Sequence, residues 1–85
     1  MAKEKTTWNQ RLQTLRKQTG LSQRAFAWEY LQIDHSMYNR YERFGQSPGL
    51  DVFIGICEGL ENALEDRQDS RDIALELLFG TAAAR

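Results

Sequence analysis

Cysteine, histidine and proline each occur once in this 85-residue chain, as Cys57, His35 and Pro48. A lone cysteine excludes an intramolecular disulfide, and one cysteine with one histidine falls short of a usual zinc ligand set. No apolar run exceeds a few residues, which excludes a membrane-spanning helix. The opening MAKEKTTW lacks the apolar stretch of a signal peptide, so the chain is expected to stay in the cytoplasm. Strand-like alternation of Val, Ile and Thr is missing, which favours an all-α fold. A Gly-rich phosphate loop and paired catalytic acids are missing too, and the sole His and sole Cys fall in different predicted helices. These residues call for no enzyme chemistry, no metal and no cofactor.

What is present fits one domain over residues 1–85, with a core modest enough that a partner would stabilise it; a homodimer is expected. Charge is unevenly placed. Residues 1–43 carry eight Lys or Arg against four Asp or Glu, a net +4, whereas residues 44–85 carry three against eight, a net −5. A basic front half joined to an acidic back half suits a molecule that turns one face toward phosphate and another elsewhere.

Helix signals follow in order. Thr7 with Gln10 forms a capping-box pattern, Trp8, Leu12 and Leu15 recur at helical spacing, and Gly20 ends a first helix over 8–19. Ser22 caps a second helix with an apolar face of Phe26, Ala27, Tyr30 and Leu31; its register breaks near Gln32 and Ile33 without a glycine or proline. Asp34 caps a third helix only two or three residues later, which predicts a tightly linked, angled pair. On a wheel of this helix Met37, Tyr38, Tyr41 and Phe44 gather on one side and His35, Ser36, Asn39, Arg40 and Arg43 on the other. That outer side carries no acid, and its side chains suit base edges: Asn pairs with adenine, Arg with guanine.

After GQSPG, Leu50, Phe53, Ile56, Cys57 and Leu60 predict a fourth helix, in which Gly55 and Gly59 permit close helix approach and Cys57 reads as core filler. Ser70 or Asp69 caps a fifth, with Ile73, Leu77 and Leu78 as an apolar stripe ended by Gly80. This last stripe is expected either to make the dimer contact, over a C-terminal extension at 61–80, or to pack on the chain's own helices 1 and 4.

Residues 11–60, with Arg16, the run Gly20-Leu21-Ser22-Gln23, Ala27, Arg40, Glu42 and the stretch Pro48 to Leu60, resemble the phage repressor and Cro family of helix-turn-helix proteins, the xenobiotic-response-element type. The resemblance implies a five-helix repressor-like domain whose third helix enters the major groove while the second crosses the backbone. It implies that Gln23, with Arg24 beside it, contacts phosphate or a base from the start of helix 2. His35, Ser36, Asn39 and Arg40 would form the reading surface, Met37 would touch a thymine methyl, and Arg43, Gln46 and Ser47 would meet the backbone. Arg16 and Glu42 would pair as a partly buried ion pair joining helix 1 to helix 3. Two departures stand out: one extra residue lies between Ala27 and the helix 2 turn, where the family's glycine is also absent, and the aromatic residues Tyr38, Tyr41 and Phe44 replace smaller aliphatics. Trp28, on the flank of helix 2, either covers the enlarged core or sits in an interface.

The expected function is sequence-specific binding of double-stranded DNA, at an inverted-repeat operator, as a transcriptional repressor. Glu29 or nearby groups presented to RNA polymerase would make it an activator instead. An alternative is an antitoxin, its acidic C-terminal helix holding a toxin protein.

Overall fold

Four side-chain caps set where helices begin in this computed structural model, which describes residues 6–64 and 69–80. Helix α1 spans Trp8–Thr19 behind the Thr7 capping box, and α2 starts at Gln23, where Ser22 Oγ accepts the Ala25 N–H at 3.1 Å. Asp34 opens α3 (His35–Phe44) by accepting the Ser36 N–H at 3.0 Å, and Asp69 opens α5 (Ser70–Phe79) by accepting the Asp72 N–H at 3.0 Å. Of the two residues able to cap α5, Asp69 does so. Helix α4 covers Leu50–Ala63. Gly20, Gly45 and Gly80 close α1, α3 and α5 in the left-handed conformation that lets the last carbonyls be satisfied. The described residues thus form five helices and no strand, and no helix among them is long and apolar enough to cross a membrane.

The break after α2 has a backbone cause. Gln23–Phe26 is ordinary α-helix, but Ala27–Leu31 widens into a π-helix, which takes up one more residue per hydrogen-bonded ring. Gln32 then turns left-handed, at φ 58°, the one described non-glycine residue with positive φ. Its N–H and that of Ile33 both donate to Ala27 O. The long spacing from Ala27 to α3 is therefore absorbed within α2 itself, before a three-residue link.

All five helices contribute to one core. Leu12 and Leu15 of α1, Phe26 and Ala27 of α2, Tyr38 and Tyr41 of α3, and Ile56, Cys57 and Leu60 of α4 are buried, with Leu64 and α5 residues Ile73 and Leu77 closing it. Phe26 meets Tyr38 edge-on, with ring centroids 5.6 Å apart. Burial raises the Cys57 thiol to about 11, with Glu58 adding to the shift, so it packs as a neutral small group. Gly59 is the close-approach glycine: an added Cβ would lie 2.7 Å from a methyl of Leu31. Gly55 faces open space instead.

Several outer positions differ from the helical-wheel expectation. Phe44 and Leu50 are largely exposed and Met37 is partly so. Trp28 is 71 % exposed and covers no core. On α5 the internal-packing alternative holds for two of the three stripe residues, and the dimer expectation for Ile73 and Leu77 is corrected. Ile73 and Leu77 are fully buried against this chain's own helices, since α5 packs on α1 and α4, and only Leu78 of the three is exposed.

Candidate nucleic-acid interface

Glu42 is the point at which α1, α2 and α3 meet. Arg16 Nε donates to Glu42 Oε2 at 2.8 Å and Nη2 to Oε1 at 3.1 Å, a two-pronged pair whose fork geometry suits a carboxylate. Tyr38 OH donates to Oε2 at 2.9 Å, and Gln23 Nε2 donates to Oε1. Arg16 Nη1 further donates to Leu21 O at 2.8 Å, and Asn9 Nδ2 to Glu42 O at 3.0 Å. Among the described residues no buried side-chain polar atom lacks a partner. Burial by itself would raise the Glu42 carboxyl, but hydrogen bonds from Arg16, Gln23 and Tyr38 outweigh it and hold Glu42 below the ordinary carboxylate range. The bond to Glu42 likewise raises the Arg16 guanidinium, and burial followed by the Glu42 charge keeps Tyr38 protonated.

With its inner face pinned this way, α3 presents Ser36, Met37, Arg40 and Arg43 to solvent and leaves His35 and Asn39 half-exposed. Its only acid, Glu42, points inward, so the outer surface combines cations with hydrogen-bonding groups. Gln46 and Ser47 continue that surface past Gly45, and Arg24 is exposed on α2. Arg43 lies over the Phe44 ring at 5.9 Å, which gives its guanidinium a defined seat. The Ser36 hydroxyl donates to the Asp34 cap, leaving its oxygen lone pairs for an incoming donor. This hydroxyl bond is the leading cause holding Asp34 below its ordinary value, so the cap stays an anion.

Gln23 faces partly inward. One N–H of its amide is given to Glu42, while its second N–H and its carbonyl oxygen stand at the half-exposed start of α2 beside the N-terminal backbone and Arg24. The spacing offered a hint, since Gln23 is the first residue of a helix abutting α3. A second role that sequence reading missed belongs to Arg11. Helix α5 has no cation in its own last turn, and Arg11 supplies one from α1, donating to Leu77 O at 2.8 Å and Leu78 O at 3.2 Å.

No group of three or more potential metal-ligating side chains gathers among the described residues. The exposed face of α3, backed by a buried ion-pair cluster, is what the chain offers as a site. No protein-family model, curated protein or solved structure matches this chain.

Proposed function

We propose that this protein is a sequence-specific double-stranded DNA-binding transcriptional regulator that represses by occupying an operator, with α3 reading the major groove. The observation that carries the reading is the acid-free outer face of α3, held from behind by the Arg16–Glu42–Tyr38–Gln23 cluster. A reading helix must be both chemically suited to base edges and fixed in orientation, and this one meets both requirements. Arg40, Asn39, Ser36 and His35 contact bases, and Met37 meets a thymine methyl. Arg43, Arg24, Gln46 and Ser47 contact phosphate.

Operator binding as a homodimer places two α3 helices about 34 Å apart on an inverted repeat. With Ile73 and Leu77 internal, the dimer contact falls to the exposed Leu50 and Leu78, which share an apolar hollow with Trp8, Pro48 and Phe53. Fluorescence anisotropy on a selected operator and a scrambled duplex across a salt series tests the reading: tighter binding to the operator is expected at every salt concentration. Equal affinity with a steep salt slope reduces the activity to non-specific association.

A second reading draws on the outer side of α5, where Leu75, Leu78 and Phe79 are exposed. There α5 holds a toxin protein, and DNA binding is secondary. A stoichiometric complex with the product of an adjacent small reading frame, lost in Leu75→Asp/Phe79→Asp, would favour it.

A further inference from the structure

A cleft of about 330 Å³ opens between the π-helical end of α2 and a face of α4, where the basic and acidic halves of the chain meet. Tyr30 and Leu31 form one wall. Asp51, Gly55, Glu58 and Asn62 form the other, at helical spacings of four, three and four residues that place them on one face of α4. Among the described residues Asp51 and Glu58 are the only charged ones that line it, and both are exposed. They stand seven residues apart, about 10 Å along the helix axis. Between them Gly55 leaves the floor open, with nothing within 4 Å of where a Cβ would be. The remaining lining is largely aliphatic.

The backbone at this cleft is also its least ordinary stretch. The wall residues belong to the π-helix, and the left-handed Gln32 follows directly. A π-turn and a non-glycine left-handed residue both cost free energy relative to plain helix, and such costs concentrate where a surface is shaped for a partner. Here the widened turn sets Tyr30 and Leu31 against α4 across Gly59, whose missing side chain makes room for them.

We propose that this cleft docks a basic segment of a partner protein, one apolar side chain seated over Gly55 between two Lys or Arg that pair with Asp51 and Glu58. The occupant is identified by charge complementarity: two carboxylates with no lining cation among the described residues repel nucleic acid and acidic peptides, and select cations about 10 Å apart. None of the exposed α3 residues lines the cleft, so the partner and DNA can be held together.

The test is an NMR amide titration of the full chain with a synthetic amphipathic peptide of alternating Lys and Leu pairs, beside a control in which every Leu is Ser. Shifts centred on Asp51, Gly55, Glu58, Gly59 and Asn62 are expected with the first peptide and not the second. Asp51→Asn/Glu58→Gln should weaken binding about tenfold or more, equivalent to roughly 1.4 kcal/mol. Gly55→Leu fills the cleft at a helix position where a side chain meets open space, so it should keep or raise the melting temperature while also weakening binding about tenfold. The proposal is overturned if the Ser control binds equally well, if the shifts map elsewhere, or if either variant binds as the parent does. Concentration-dependent shifts of the same amides without peptide would assign the cleft to a second copy of the chain and equally overturn it.

Discussion

The α1–α2–α3 half of the molecule converges on a buried carboxylate, whereas α4 and α5 close over it with aliphatic side chains. In the first half Glu42 takes hydrogen bonds from Arg16, Gln23 and Tyr38, three groups on three helices. In the second, Ile56, Leu60, Ile73 and Leu77 fill space without any polar direction. Apolar burial stabilises in proportion to area and tolerates many arrangements, while a satisfied polar cluster accepts very few. The difference teaches a division of labour. Both halves stabilise the fold, but the polar cluster also restricts how α3 is oriented.

The most severe way to break the aliphatic half is to place a charge in it. Leu77→Asp puts an unpaired carboxylate at a fully buried position and should cost more than about 4 kcal/mol, enough to unfold a domain of this size at room temperature. Leu78→Asp, one residue along and 51 % exposed, should melt within a few degrees of the parent. Circular dichroism melts of the two variants distinguish them. Matching melts would mean that α5 does not close the core.

Breaking the polar half should cost somewhat less. Glu42→Ala leaves the Arg16 guanidinium buried without its partner and should lose about 3 kcal/mol in urea unfolding. A loss below about 0.5 kcal/mol would mean that the pair behaves as solvent-exposed charges. Acid acts on the same group. Because Glu42 titrates in the fold below its ordinary value of 4.5, the stability it adds is complete above that pH and disappears as pH falls through the folded value. Stability of the parent should therefore drop on acidification below 4.5, and Glu42→Gln should flatten that drop.

How much of this was legible differs between the halves for physical reasons. The caps at Thr7, Ser22 and Asp34 and the terminating glycines could be read directly, because each is a local hydrogen-bonding device written in a few consecutive residues. The pairing of Arg16 with Glu42 followed from the family resemblance. Periodicity identified the stripe of Ile73 and Leu77 but could not say what covers it, since an apolar face looks the same against its own chain or a partner. The π-turn and the left-handed Gln32 carry no glycine signature; only the broken register near Gln32 announced them. The inward turn of Gln23 depends on where α3 lies, which no local pattern encodes.

A smaller effect should appear on the outer face of α3, where fixed presentation ought to matter most. Arg40→Ala should cost about 1–3 kcal/mol on the preferred operator and relax discrimination at one base pair. Arg43→Ala should weaken all duplexes alike and lower the salt slope by about one unit. If Glu42→Gln keeps the domain folded yet erodes discrimination as Arg40→Ala does, the polar cluster serves presentation as well as stability. Unchanged affinity in both arginine variants would remove α3 from DNA recognition.

The finest test uses one substitution at two neighbouring sites on α4. Gly55 and Gly59 lie one turn apart, and replacing either with Ala recovers helix propensity worth about 0.5–1 kcal/mol. At Gly55 a Cβ meets nothing within 4 Å, so the variant should be more stable than the parent by about that amount. At Gly59 the same Cβ would come within 2.7 Å of a Leu31 methyl and 3.5 Å of both Phe26 and Tyr30. The Leu31 methyl can rotate aside, but Leu31 packs against the core at the π-turn, so its displacement should cost about 1 kcal/mol or more and cancel the gain. Urea denaturation of the two variants should thus separate them by about 1 kcal/mol, with Gly55→Ala above the parent and Gly59→Ala at or below it. Equal stabilisation by both would show that the α2–α4 contact has slack. The packing of α4 on α2 would then yield at its closest approach, in contrast to the cluster around Glu42.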